Sequence, residues 1–315
     1  MGHNYQGGPR TDSIVLTTNN VEMLRMLSCL RVMTEKQICA LFYSKHDSYD
    51  LDMLKARRSL SPRIAEFVKA GLIEKAAIPS VNRINRQGYL LGPEGAKILK
   101  DIRETERMEH PRCRQRRYND ILVHSRHDLA VNNFLTNLIM LSRLHPCFYL
   151  VEWLADRDCR FYISRGPEPK ILDPDLFLHA SQEDGEPRSA FVEVDCDTLW
   201  SRPVLRRKVL RLFQYYVSGT YEEDLAVRYF PRMAIIAPDA ARVRTFQSVI
   251  REVKREFSNP YARRIPFYLA TFDQVDVNCI DEGRVSTDPI EAIWVDYEGN
   301  PVGSPFCEQL PDSAA

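Results

Sequence analysis

The sequence predicts a mixed α/β (α+β) protein of two domains: a small helical domain that ends in a hairpin, then a larger one built on a mixed sheet. Three observations carry that expectation. A chain of 315 residues, 44% hydrophobic and 27% charged, can form two packed cores and is ordinary for a globular protein. Capped amphipathic helical stripes dominate up to about residue 107, after which short apolar runs alternate with helical stretches, as in a sheet covered by helices. Finally, a net charge of zero hides a separation: residues 1–127 carry 22 Lys and Arg against 14 Asp and Glu, and the remainder carries 21 against 29. A basic part followed by an acidic part divides the chain between a surface that meets phosphate and one that holds carboxylates or meets protein.

Taken in order, residues 1–13 have no period and read as a mobile leader. Val21, Leu24, Leu27 and Leu30 then form a helical stripe, with Asn20 as its expected cap. Thr34 and Gln37 have capping-box spacing and start a second helix over Ile38, Leu41 and Phe42. A helical run follows from Leu51, and Ser61-Pro62 is expected to cut it, serine capping a new helix over residues 62–70 that Gly71 ends. Ile64, Phe67 and Val68 would be its buried stripe, leaving Arg63, Glu66 and Lys69 outside. Residues 72–78 and 89–91 read as a two-stranded wing with Arg83 and Arg86 near its tip, and Gly92-Pro93 opens a closing helix. Three helices, a hairpin and a closing helix make a winged helix-turn-helix over residues 14–108. Its candidate contacts to double-stranded DNA are Ser61, Arg63, Glu66, Lys69, Arg83 and Arg86, joined by Arg114, Arg116 and Arg117 of a basic linker over residues 109–117.

The second domain is expected over residues 118–275, with an irregular acidic tail over 276–315 that holds one strand candidate, residues 292–295. It opens on a long amphipathic helix, residues 121–144, on which His124 and His127 lie one turn apart; a hydrogen-bonding role suits that pair better than a metal. A strand over residues 148–154 precedes two more, 171–178 and 189–195, joined by a polar loop containing Gly185. Antiparallel pairing of these two would bring Asp175 within a few ångströms of Glu193 and Asp195, a donor set for Mg²⁺ or Mn²⁺, with Asp173 nearby. Then come a helix over residues 200–217 with Arg202, Arg206, Arg207, Lys208 and Arg211, a strand over 231–237, a helix over 240–257 and a strand over 265–271.

Composition removes several function classes. No apolar run reaches the roughly 20 residues of a membrane helix and the start lacks a signal core, so a cytoplasmic protein with no membrane partner is expected. Eight cysteines without a Cys-x-x-Cys pair read as reduced, buried thiols, not zinc ligands. Neither a phosphate-binding Gly-x-x-x-x-Gly-Lys loop nor a Gly-x-Ser-x-Gly elbow occurs.

Pro174-Asp175 followed by Glu193-Val194-Asp195 resembles the PD-(D/E)XK nuclease core, whose order of helix, three strands, helix, strand, helix and strand is also the order read here. The resemblance implies Asp175 and Glu193 as metal ligands and catalytic acids, with Asp195 where the core has the lysine that positions the attacking water. Lys170 or Lys208 would have to replace it. The ordered series over roughly residues 14–270 resembles the replication-relaxation family of plasmid and mobile-element proteins: His127-Asp128-Leu129-Ala130-Val131-Asn132-Asn133-Phe134, Pro174-Asp175, Glu193-Val194-Asp195, then Arg206-Arg207-Lys208 and Tyr215-Tyr216. That implies a DNA-binding protein of replication, relaxation or transfer with a degenerate nuclease-like domain, acting with proteins of the same element and with a second copy of itself as a homodimer. Two alternatives stand beside it: an active Mg²⁺-dependent endonuclease or nickase, and a winged-helix transcription regulator.

Overall fold

A computed structural model of the chain describes residues 10–11, 14–44, 48–78, 86–106, 118–164, 169–183, 185–196, 201–291 and 293–307. They form two compact units: Met1–Thr136 with Ile280–Val285, and Asn137–Cys279 with Ser286–Ala315. The division falls inside the long helix that the sequence assigns wholly to the second domain.

In the first unit a short ribbon of β1 (Arg10–Thr11) and β2 (Ile14–Val15) precedes α1 (Thr18–Leu30). Thr17, not Asn20, is the cap of α1: Thr17 Oγ1 accepts from Asn20 N at 3.3 Å and Asn20 Oδ1 accepts from Thr17 N at 3.1 Å, so Asn20 is the far half of a capping box. After β3 (Met33–Thr34), α2 (Glu35–Phe42) starts with the expected box between Thr34 and Gln37. The helix α3 (Met53–Lys69) runs unbroken through Pro62, so Ser61 caps nothing. Ala56, Leu60, Ile64 and Phe67 keep one buried stripe across the proline, while Arg58, whose carbonyl loses its partner to Pro62, is exposed to water. At the end of α3, Gly71 takes φ +69°, and Leu72 N donates to Phe67 O at 2.9 Å, closing the helix as expected.

β4 (Ile73–Ile78) and β5 (Arg86–Leu91) pair antiparallel, and β3 joins the far side of β5 to give the order β3-β5-β4. Gly88 in β5 leaves the space that Ile78 and Val32 fill, since a Cβ there would stand 2.4 and 2.8 Å from them. α4 (Pro93–Glu106) closes the series. The first part of α5 (Tyr118–Leu144) adds a polar clamp to this unit. Asn132 Nδ2 donates to Leu30 O at 2.9 Å and to Val32 O at 2.5 Å, and Arg31, held at φ +63° between them, donates to Asp128 at 3.2 Å. Asn133 accepts from Gln37 at 2.7 Å. The clamp satisfies buried carbonyls at the α1–β3 turn and holds a backbone conformation that an arginine rarely adopts.

The second unit is a seven-stranded mixed sheet in the order β14-β13-β12-β11-β10-β9-β6. Its strands are β6 (Tyr149–Ala155), β9 (Leu176–Ser181), β10 (Arg188–Val194), β11 (Arg232–Ala237), β12 (Phe267–Thr271), β13 (Trp294–Val295) and β14 (Pro301–Val302). β6, β9 and β10 are antiparallel neighbours, and β10, β11 and β12 are parallel. The expected strand over 171–178 is two strands in two sheets. β8 (Lys170–Leu172) pairs with β7 (Phe161–Ser164), and Pro174, which has no N–H for a central ladder, separates it from β9.

The parallel crossovers are α6 (Arg202–Ser218), followed by the short α7 (Tyr221–Leu225), and α8 (Ala240–Glu256). Two successive crossovers running the same way across β10, β11 and β12 put α6 and α8 on one face of the sheet. Phe191, Leu205, Leu212, Phe213, Ile235 and Phe246 belong to the buried cluster between them. In the stretch after residue 275, the strand expected over 292–295 is β13, while α9 (Cys279–Glu282), whose Ile280–Glu282 belong to the first unit, and β14 arise where an irregular chain is expected. Trp294, fully buried against Phe306, anchors β13.

Candidate functional site

Alternation along β10 puts Phe191, Glu193 and, one step past the strand, Asp195 on the face that α6 and α8 cover. Glu193 is 1% exposed and Asp195 3%. Asp175 enters from the break before β9. Its N–H donates to Val192 O at 3.0 Å and its Oδ2 accepts from Val194 N at 2.8 Å, which fixes the carboxylate at the edge of the same centre. Asp173 is exposed.

Each buried acid has a cation. Lys208, in the first half of α6, places its ammonium on Glu193 Oε2, and Arg242, in the first turn of α8, places its guanidinium on Asp195 Oδ2. Asp239 caps α8 by accepting from Arg242 N at 2.8 Å, and the Arg242 guanidinium lies 5.4 Å from the Phe246 ring centroid, so cap and ring both set the arginine's direction. Burial works to lower the Lys208 pKa. Glu193, with Asp175 and Asp173 behind it, outweighs burial and raises it, so Lys208 is a cation at neutral pH. Beside Lys208 and Glu193 is a cavity of about 20 Å³, otherwise lined mainly by apolar side chains such as Leu205, Met233 and Phe246, with room for about one water.

A divalent cation needs carboxylate oxygens that the fold has not already used. Here Glu193 and Asp195 each face a partly buried cation, and one oxygen of Asp175 accepts a backbone N–H. Among the described residues no three His, Cys, Asp or Glu side chains form a metal-holding group. Lys208 and Arg242 offset two of the three carboxylates and occupy oxygens that a resident Mg²⁺ or Mn²⁺ would use, so the donor set as arranged fits such an ion poorly.

In the first unit, Ser61, Glu66 and Lys69 are exposed on α3. Arg63 is turned along the helix: it donates to Glu66 at 2.9 Å, and its guanidinium lies 5.7 Å from the Phe67 ring centroid. Arg86 begins β5. Arg83, Arg114, Arg116 and Arg117 lie outside the described residues. Lys55 and Arg58, which the sequence reasoning misses, are exposed on the same helix as Lys69, with no ion pair among the described residues. Their signal is the buried stripe itself, which continues through Pro62 and makes the turns before it part of one helix.

The remaining motifs have structural partners. His127 lies 3.6 Å from Asp128, and Tyr215 is buried and donates to Asp224 at 2.9 Å. Burial, with Asp224, pushes the Tyr215 phenol upward, away from the phenolate a nucleophile needs. Of the α6 arginines, Arg202 and Arg206 pair with Glu252 at 2.7 and 3.0 Å, which ties α6 to α8. Cys39, Cys159, Cys196, Cys279 and Cys307 are buried free thiols.

Fold and site together define a mixed α/β protein with an acidic centre in which Glu193 and Asp195 pair with cations from two crossover helices. The chain belongs to the replication-relaxation family, whose sequence model matches residues 24–228. That membership supports a role in the replication or relaxation of a mobile element. The matched stretch includes Asp175, Glu193, Asp195 and Lys208, while Arg242 lies beyond it. Neither a curated protein nor a solved structure matches the chain. Among the described residues no helix is long and apolar enough to cross a membrane.

Proposed function

We propose that this chain binds double-stranded DNA of a plasmid or other mobile element during replication, relaxation or transfer. In this reading the first unit is a winged helix-turn-helix, and the second is a PD-(D/E)XK-like domain that has given up metal-dependent cleavage. The observation that carries DNA binding is α3. Its buried stripe faces the core of a helix-strand-helix-helix-hairpin unit, and Lys55, Arg58 and Lys69 are exposed on it. A helix of that order presented to a major groove would meet phosphates with those cations. Loss of cleavage rests on the two ion pairs of the acidic centre, which commit Glu193 and Asp195 to the fold. Other replication or transfer proteins of the element, and a second copy of the chain, are the partners proposed with this role.

An active nickase is the second reading, favoured by one observation: Lys208 reaches Glu193 from a helix, where it could replace the lysine displaced by Asp195. Incubation with supercoiled plasmid in Mg²⁺ or Mn²⁺, and in EDTA, separates the two. Retarded but uncut plasmid is expected from the native chain and from Asp175→Ala and Glu193→Ala. Metal-dependent nicking that both variants lose would establish the nickase, and plasmid left unretarded would remove DNA binding.

A further inference from the structure

In the second unit, the end of the sheet opposite the acidic centre carries a different chemistry. β11 and β12 run parallel with Met233 beside Phe267, and Met233 N donates to Pro266 O at 3.1 Å, so the segments leading into both strands arrive at the same end. Each segment displays a tyrosine beside a guanidinium. Tyr229 is 58% exposed with the Arg228 guanidinium 5.2 Å from its ring centroid, and Tyr261 is 63% exposed with that of Arg264 at 5.7 Å. One exposed tyrosine needs no explanation. Two arginine-backed rings at the start of neighbouring strands are a different arrangement.

The segment bearing Tyr261 is held in place. Asn259 Oδ1 accepts from Tyr261 N at 2.9 Å and Ala262 N at 3.1 Å, Arg263 Nε donates to Phe257 O at 2.7 Å, and Lys254 donates to Ile265 O at 2.9 Å. Ala262 is fully buried beneath it. The ring therefore stands on a fixed support and gives up little freedom when something packs on it. Arg228, Arg255, Arg263 and Arg264 are exposed and form no ion pair among the described residues. Of the nearby acids, Asp224 accepts from Tyr215 and Glu256 pairs with Arg206, while Glu222 and Glu223 are exposed on α7.

We propose that this end of the sheet binds single-stranded DNA, with Tyr229 and Tyr261 stacking bases and Arg228, Arg255, Arg263 and Arg264 meeting phosphates. Exposed rings interleaved with arginines suit unpaired bases, because a duplex already stacks its own. The choice of DNA over RNA rests on the duplex-DNA reading of the first unit.

The test measures the full chain by fluorescence anisotropy against labelled oligothymidylate, oligouridylate and a random duplex. Native protein should bind oligothymidylate, and Tyr229→Ala and Tyr261→Ala should each weaken that binding about tenfold while leaving duplex affinity within about twofold. Arg255→Glu with Arg264→Glu should give a similar loss, and Tyr162→Ala, at an exposed tyrosine on β7, should give none. Absence of oligothymidylate binding, unchanged binding in the tyrosine variants, equal loss from Tyr162→Ala, or tighter binding of oligouridylate would each overturn the proposal. A native chain that binds oligothymidylate but not duplex would instead remove the winged-helix reading and leave the single-strand face standing.

Discussion

In the first unit Lys55, Arg58 and Lys69 are exposed along one helix, whereas in the second Lys208 and Arg242 are sunk against Glu193 and Asp195. The same residue types thus do opposite work. An exposed cation keeps its hydration and can exchange it for a phosphate at modest cost, so its charge is available to a ligand. A buried cation has lost that hydration and recovers the loss only from a carboxylate in contact, so its charge belongs to the fold. Formal net charge is zero for the chain, yet what each unit offers a partner depends on which cations remain wet.

The strongest way to break this comparison is to remove one buried partner. Lys208→Ala leaves Glu193 buried without its counter-charge and should cost about 3–5 kcal/mol in urea unfolding, while Lys208→Met combined with Glu193→Met should recover most of it. A cost below about 1 kcal/mol would show that water reaches Glu193 and that the centre is an open site.

Lys254 sharpens the comparison, being buried with no carboxylate in contact among the described residues. It donates to Ile265 O and lies 3.9 Å from the Tyr297 ring centroid, and burial lowers its pKa from 10.5 to about 8, against the pull of Glu298 and Asp296. The unfolded chain therefore binds the extra proton between those values, so this group makes stability rise as pH goes from about 8 towards 10.5. The full rise should be on the order of 3 kcal/mol. In Lys254→Met that contribution should vanish from unfolding curves collected across the window, leaving a flatter profile than the native chain.

The mildest change concerns the exposed set. Lys55→Ala, Arg58→Ala and Lys69→Ala together should weaken duplex binding roughly tenfold or more and lower the slope of log affinity against log salt by about 0.9 for each phosphate that is no longer neutralised. Arg63→Ala alone should do less, since its charge already faces Glu66 at 2.9 Å. If Arg63 proved dominant, the orientation assigned to α3 would be wrong.

Much of the local structure was legible because its causes are local. Thr34 and Gln37 cap α2 through bonds three residues apart, and Gly71 ends α3 because its missing Cβ permits φ +69°. Pro62 misled for a related reason. Its local preference favours a helix start, but a stripe from Ala56 to Phe67 buried on one side outweighed a single lost hydrogen bond. In the acidic centre, proximity of Asp175 to the β10 acids followed from strand pairing, whereas the identity of the cations did not. Arg242 is 47 residues from Asp195 and belongs to a helix that only the second crossover brings back.

By itself, the sequence determined the capped helices, the short apolar strands, the order in which they occur and the family to which the chain belongs, because periodicity, caps and motif order are written over a few residues at a time. Only the tertiary structure decided which charges stay in water and which neutralise one another. It turned Asp128, Asn132 and Asn133 into a clamp on a strained turn and set Lys208 and Arg242 against the acids of β10. Those outcomes depend on burial and on distances between residues far apart in the chain, and folding alone fixes both.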